Sequence, residues 1–237
     1  MSSRALFRVA AIGSILSVAS TLILIFAPRY YPAMDDFAAR MELVNHPAYQ
    51  LRAWTYLLHP FLVMTAAVGL VAAVWQRERV LAILGLTGFG LWAATEAAQQ
   101  CLTLFAYDRW RVQWLAGDPV ILATMELRAA IYSGLWDATY VLLIIGFFIA
   151  NLALAWAFWK GQGFDRIVAT FLALAAILTL LIIVTEFGGP ALLPAALAPL
   201  VYPAIQPAGR FVIGLWLWRH AARMVTSAPA SPSEQRL

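Results

Sequence analysis

The segment of residues 80–105 constrains the fold of this chain more than any other feature. It is long and apolar enough to cross a bilayer, yet it carries Glu96, Gln99 and Gln100. On a helix, Trp92, Glu96 and Gln99 follow one another at three- and four-residue steps, so the polar atoms share one face. Because a carboxyl group in hydrocarbon is costly, this face must turn toward other helices, as a functional site or as a structural charge.

The composition of the whole chain is that of a membrane protein. Of its 237 residues, 63% are hydrophobic and 12% are charged, which is more apolar surface than one soluble core of this size can bury. The net charge of +4 comes from scattered basic residues, without the basic stripe of nucleic-acid-binding proteins. Cys101 is the single cysteine, so no intramolecular disulfide can form. We therefore predict an all-α integral membrane protein that does not bind nucleic acid.

Six apolar segments have the length of a transmembrane helix and predict one polytopic domain over residues 1–225. Short amphipathic helices are expected on the outer surface, one at residues 34–44 and one after Asp118, with a bend near Arg128 before the fourth span. Residues 226–237 are rich in Ser, Pro and Ala and predict a disordered cytoplasmic tail. The predicted spans cover about residues 6–26, 53–75, 80–105, 130–158, 167–187 and 202–220.

The basic residues of the loops give the orientation. Nine of the sixteen Lys and Arg residues lie on one side of the predicted spans, mostly in very short loops, and six lie on the other. Positive charges in short loops stay in the cytoplasm, so both termini are predicted to be cytoplasmic. The expected location is the bacterial inner (plasma) membrane, as a multi-pass protein.

Ionisable and aromatic side chains from several spans fall at similar depths in the predicted outer half of the bundle. If each polar face turns inward, they line one acidic, aromatic pocket that is open to the outside. Carboxyl groups that do not pair with Arg210 would then hold a proton or an entering cation, and the structural alternative is a clamp between Arg210 and one carboxylate. The residues predicted to bind a ligand or a proton are Glu96, Asp137, Arg210, Gln99, Gln100, His59, Glu186, Trp92, Trp136 and Tyr140.

Several other kinds of site are not expected from the spacing of the residues. No two histidines stand at ligand spacing on one helix, and the HExxH, GxSxG and Walker-type motifs do not occur, so we predict no metal, haem or other cofactor. No catalytic residue is assigned. Gly85, Gly88 and Gly90 are interpreted as helix-packing residues.

Three classes of function compete. The leading hypothesis is a binding or transport protein for a proton or a small cationic or lipophilic solute, because carboxylates beside Trp and Tyr rings suit an ammonium group. Six spans make a small carrier, so a homodimer or larger complex in the lipid bilayer is expected. The alternative is a membrane enzyme that acts on a lipophilic substrate, with Glu96 and Asp137 as acid and base. The third is an accessory or sensory subunit whose buried charges serve assembly.

Overall fold

The computed structural model describes residues 3–190 and 198–226, and every regular element within those ranges is helical. One turn of π-helix, Thr103–Tyr107, joins the fourth helix to the fifth, and short 3-10 turns follow the first two helices. Most of the predicted tail, and part of the proline-rich segment before the last helix, lie outside the described residues. The α-helices are α1 (Ser3–Phe26), α2 (Phe37–Glu42), α3 (Pro47–Val74), α4 (Arg79–Leu102), α5 (Asp108–Leu115), α6 (Pro119–Trp159), α7 (Phe164–Glu186) and α8 (Ala198–Thr226).

The six long helices form a closed ring. α1 packs against α3, α3 against α4, α4 against α6, α6 against α7 and α7 against α8, and α8 closes the ring on α1. Each connection reverses the chain, so neighbouring helices are antiparallel. We call the end of the ring that carries α2 and α5 the α5 end, and the opposite end, with the short turns before Arg79 and after Trp159, the Lys160 end.

Five helices are long and apolar enough to cross a membrane, which confirms the predicted class of an all-α membrane bundle. Their outward faces carry large apolar side chains, such as Phe61 and Ile177, which are 61% and 53% exposed, as expected for contact with lipid. α8 contains Pro203 and Pro207 and is not one of the five, so the sixth span stays a prediction. The five segments are Ser3–Tyr30, Pro47–Val74, Arg79–Leu115, Pro119–Trp159 and Phe164–Glu186.

α6 differs from the expectation because it is one uninterrupted helix of 41 residues. It begins where the sequence predicted, since the Asp118 carboxylate accepts hydrogen bonds from the backbone N–H groups of Val120 and Ile121, at 2.9 and 3.1 Å. The helix continues through Arg128, near which a bend was expected, so the expected surface piece is its first part. At 1.5 Å per residue, α6 is about 60 Å long, roughly twice the thickness of the hydrocarbon layer.

The amphipathic helix expected near residue 37 is α2, and its apolar face packs on protein. Met41 is 1% exposed and clusters with Ile121 and Met125 of the first part of α6. Phe37 meets Trp114 of α5 edge to face, with the ring centroids 5.8 Å apart. α2 and α5 thus cover the beginning of α6 at the α5 end.

The Lys160 half of the ring is filled by a continuous apolar core. Its large side chains, which include Phe7, Leu70, Leu154, Phe158 and Leu217, are at most 3% exposed. Packing of this density leaves little space between the side chains. The larger cavities described below lie in the half toward the α5 end.

Polar contacts join the helix turns at the Lys160 end. Arg77 and Asp165 form an ion pair at 3.0 Å, and Lys160 and Glu78 form another at 2.8 Å, so the turn before α4 is joined to the turn before α7. Trp216 of α8 donates a hydrogen bond from Nε1 to Asp165 at 2.9 Å. The three contacts hold the ring together where the core is densest.

Candidate functional site

A cavity of about 490 Å³ occupies the half of the ring toward the α5 end, and we call it the central cavity. Each of the six long helices contributes to its lining, with Thr21 from α1, Tyr56 from α3, Trp92 from α4, Tyr140 from α6, Thr179 from α7 and Gln206 from α8. Cavities of this size are typical of small-molecule sites. Of the residues predicted from sequence, Glu96, Arg210, His59, Trp92 and Tyr140 line this cavity.

Glu96 is the acidic residue that lines the central cavity within the described part of the chain. Its side chain is 4% exposed, and its Oε1 atom is buried and makes no hydrogen bond with any described residue. Glu96 belongs to none of the three ion pairs found among the described residues. Arg210 of α8 lines the same cavity and is half-buried. A buried acceptor of this kind has a hydrogen-bond capacity that a ligand donor can use.

His59 lies on α3 with its ring fixed by two neighbours. Nδ1 of His59 is 2.8 Å from Oγ of Ser20 on α1, and the ring meets Trp92 edge to face with the centroids 6.0 Å apart. His59 is 4% exposed and lines the cavity beside Trp92. The following Pro60 does not interrupt α3. The hydrogen bond between Ser20 and His59 joins α1 to α3, and the His59 ring is also part of the cavity surface.

Aromatic rings form the side of the cavity made by α4 and α6. Trp92 packs against Phe147, with the centroids 5.7 Å apart, and against Phe89, at 6.1 Å. Tyr140 and Tyr56 complete this aromatic surface toward the α5 end. Rings of this kind bind apolar groups by their area and cations through their faces.

Gly88 of α4 and Gly146 of α6 bring the two helices into backbone contact next to these rings. A Cβ atom added to Gly88 would lie 2.7 Å from the carbonyl oxygen of Gly146 and from the backbone nitrogen of Ala150. Gly85 faces Leu154 with equal closeness, whereas Gly90 has open space around it. The packing role predicted for the three glycines of α4 therefore fits Gly85 and Gly88 and does not fit Gly90. The close crossing fixes where Trp92 and Phe147 stand.

Gln99, Gln100 and Trp136 lie outside the central cavity. Gln99 is 1% exposed and donates hydrogen bonds from Nε2 to the Trp136 carbonyl oxygen, at 3.0 Å, and to Oγ1 of Thr139, at 2.9 Å. These bonds join α4 to α6. Gln100 and the Trp136 ring line a second cavity closer to the α5 end. The face of α4 predicted from Glu96 and Gln99 is buried as expected, but its polar groups serve different neighbours.

Asp137 and Glu186 do not line the central cavity, which corrects the expectation of three carboxyl groups in one pocket. Both residues are exposed. Glu186 is the last residue of α7. Asp137 lies three residues, or about one helical turn, before Tyr140 on α6 and is exposed, whereas Tyr140 lines the cavity.

A cluster that the sequence did not reveal lies at the junction of α4 and α5. Asp108 and Arg111 are 4% and 8% exposed and form an ion pair at 3.2 Å. The Tyr49 hydroxyl donates to Asp108 at 2.8 Å and lies 2.9 Å from Nη1 of Arg111, which donates to it. The signal that could have found the cluster is the spacing of Asp108 and Arg111 at one helical turn.

Among residues 3–190 and 198–226, no three His, Cys, Asp or Glu side chains lie close enough together to hold a metal ion. Cys101, the single thiol, is exposed on α4. The sequence matches no protein-family model, and no curated protein and no solved structure is significantly similar to it, so the function of the cavity rests on its own geometry.

Proposed function

We propose that this chain is a membrane protein that binds a small amine-bearing solute in the central cavity, as a carrier or a receptor for it. The observation that carries the proposal is Oε1 of Glu96, a buried acceptor without a partner among the described residues. Leaving such an atom unpaired costs about 1–3 kcal/mol, which a donor from a bound solute would recover. An ammonium group is the donor that a carboxylate binds most strongly.

The remaining surface of the cavity supports the same class of solute. The rings of Tyr56, Trp92 and Tyr140 offer faces to the cation and to an apolar body. Leu143 and Ile144 add apolar surface from α6. Arg210 lies in the same cavity, so the acidic character expected from sequence is weaker, and one amine per site is proposed.

A proton exchange at Glu96 follows from the cost of burying a lone carboxylate. In the proposed cycle, Glu96 holds a proton when the cavity is empty. An ammonium group that enters forms an ion pair with the carboxylate, and the carboxyl proton leaves to water. Binding of one ammonium ion therefore releases one proton, which makes the process proton-linked.

The proposed setting is the bacterial inner membrane. Six spans, with α8 as the sixth, would place the Lys160 end and both termini in the cytoplasm, where the short basic turns belong. The α5 end and the opening of the central cavity would then face outward. A carrier of this size is proposed to assemble as a homodimer or larger complex.

A membrane enzyme is the second candidate function, and it now depends on a different pair of residues. Asp137 is exposed, so an acid and a base inside the cavity would be Glu96 and His59. The contact of Nδ1 with Ser20 orients the His59 ring, as an acid–base residue requires. A Glu96→Asp variant separates these functions from a purely structural role, because shortening the side chain would damage a carrier or an enzyme and spare a scaffold.

The proposed function is tested by ligand-dependent thermal unfolding of the purified chain in detergent. The probes are benzylamine and phenethylamine, with benzyl alcohol as an uncharged analogue of similar size. At a hundredfold excess over Kd, an amine would stabilise the wild type by about 2.7 kcal/mol, which raises Tm by about 5–10 °C. Glu96→Gln is expected to lose this shift. Glu126→Gln is the matched control, since Glu126 is exposed on the first part of α6.

Two results would contradict the proposal. The first is an equal amine-dependent shift in the wild type and in Glu96→Gln. The second is a shift with benzyl alcohol as large as with benzylamine, since this would place the affinity in the aromatic surface and leave no role for the carboxylate. A weakly buffered titration adds an independent readout, because the wild type is expected to release a proton on binding and Glu96→Gln is not.

A further inference from the structure

A second cavity, of about 220 Å³, lies next to the central cavity toward the α5 end, and we call it the tyrosine cavity. Tyr56 lines both cavities and separates them. Arg52 and Arg111 line the tyrosine cavity, and no acidic residue is among its described lining residues. A set of tyrosines surrounds the two guanidinium groups, namely Tyr31, Tyr49, Tyr56, Tyr107 and Tyr132.

Arg111 is held in one orientation by contacts on several sides. Its Nη1 donates to the Tyr49 hydroxyl at 2.9 Å and to Asp108 at 3.2 Å. The guanidinium carbon lies 4.4 Å from the centroid of the Tyr107 ring and 5.4 Å from that of Tyr49. Arg111 is 8% exposed, and its Nε is buried without a hydrogen bond to any described residue. A guanidinium held in one orientation is a preorganised anion-binding group.

Arg52 approaches the same cavity from α3. Its Nε donates to the Leu24 carbonyl oxygen at 3.2 Å, and its guanidinium lies over the Tyr56 ring at 5.1 Å. Burial raises the pKa of the neighbouring Tyr31 hydroxyl above its usual range, and the Arg52 guanidinium only partly opposes this. The phenol therefore keeps its proton at neutral pH and remains a hydrogen-bond donor. Asp108 balances the charge of Arg111, which leaves the charge of Arg52 for a ligand.

The π-helical turn Thr103–Tyr107 explains why Arg111 faces this cavity. A helix advances by about 100° per residue, so a straight helix would place Trp110 on the face that carries Glu96. The wide turn adds roughly one residue, which brings Arg111 to that face in place of Trp110. The turn also stacks Tyr107 on Tyr132, with the centroids 4.2 Å apart. Wide turns of this kind occur frequently at functional sites.

We propose that the tyrosine cavity is a second binding site, which takes a compact oxyanion, a carboxylate or a phosphate group, on Arg52 and Arg111. The tyrosine hydroxyls donate further hydrogen bonds to the anion, and their rings contact the body that carries it. Both a soluble anion and the headgroup of an anionic lipid have this chemistry. The site is separate from Glu96 and does not depend on the function proposed for the central cavity.

The test measures the thermal unfolding of the full chain with two kinds of probe. In uncharged detergent, the probes are inorganic phosphate and benzoate. In nanodiscs, phosphatidylglycerol is compared with phosphatidylcholine. The variants are Arg52→Gln and Arg111→Gln, and the matched control is Arg109→Gln, because Arg109 is exposed two residues from Arg111 and does not line the cavity.

We expect at least one kind of anion to raise Tm in the wild type and in Arg109→Gln. The apparent Kd is expected to rise about tenfold in Arg52→Gln and in Arg111→Gln, which corresponds to the loss of one charge-assisted hydrogen bond. A shift with phosphate or benzoate identifies a soluble anion, and a shift with phosphatidylglycerol alone identifies a lipid headgroup. Arg52→Gln decides alone if Arg111→Gln does not fold, because Arg52 is only half-buried.

The proposal is overturned by any of three results. The first is that none of the anions shifts Tm in the wild type. The second is that the shift persists in Arg52→Gln. The third is that Arg109→Gln loses the shift to the same degree as Arg52→Gln. The last result would mean that the net charge of this end of the protein attracts anions without a defined site.

Discussion

The crossing of α4 and α6 gives the sharpest prediction, which compares two glycines that stand two residues apart. An alanine Cβ at position 88 would lie 2.7 Å from backbone atoms of α6, against 3.4 Å for ordinary contact, so the helices would have to separate by about 0.7 Å. At position 90 nothing lies within 4 Å of the added Cβ. Overpacking costs about 1–3 kcal/mol, and the helix propensity of alanine returns about 1 kcal/mol at both sites.

The expected outcome is therefore a less stable Gly88→Ala and an unchanged or slightly more stable Gly90→Ala. Because the alanine gain is the same at both sites, the two variants are expected to differ by the overpacking cost of about 1–3 kcal/mol, which corresponds to about 2–12 °C in Tm for a chain of this size. Thermal unfolding in one detergent, with both variants and the wild type measured together, gives this difference. If Gly88→Ala unfolds at the same temperature as Gly90→Ala, the two helices do not touch through their backbones and the described crossing is wrong.

Two further predictions concern residues whose burial the sequence did not indicate. Trp216→Phe removes the hydrogen bond to Asp165 and leaves a smaller ring in the core, so it is expected to lower the stability by at least about 0.5–1.5 kcal/mol. Trp218→Phe, at a side chain that is 52% exposed, should stay near the wild type in the same thermal assay. Asp137→Cys, made together with Cys101→Ser, is expected to react with a membrane-impermeant thiol reagent, and absence of labelling would place residue 137 in lipid or inside the protein.

The face of Glu96 on α4 could be predicted because it depends on the helical period alone. Residues at steps of three and four share a side of any α-helix, and the buried side of α4 is the one that carries Trp92, Glu96 and Gln99. The same logic found the N-terminus of α6 at Asp118, where a capping side chain and a proline are local signals. Local rules therefore determined which helices form and which sides they bury.

The depth of a side chain could not be predicted in this way, because it depends on where neighbouring helices end. Asp137 is one turn of α6 from Tyr140, which lines the cavity, yet Asp137 is exposed. Trp216 and Trp218 stand two residues apart on α8, yet only Trp218 is exposed and Trp216 is in the core. These outcomes follow from tertiary packing, for which a single sequence has no local signal.

The phase of a helix beyond an irregular turn could not be predicted either. The period of a straight α-helix does not bring Arg111 to the face of Glu96. The π-turn Thr103–Tyr107 changes this phase and creates the tyrosine cavity. Sequence periodicity assumes a constant rotation per residue, so it fails after such a turn.

The ion pairs of the Lys160 end have a consequence for how this ring can move. Arg77 with Asp165, and Glu78 with Lys160, join the hairpin of α3 and α4 to the hairpin of α6 and α7. α1 and α8 pack on each other, and at this end Trp216 of α8 supplies a side-chain hydrogen bond to Asp165. Separation of the two hairpins at this end would therefore break both ion pairs, whereas movement of α8 away from α7 would break one hydrogen bond.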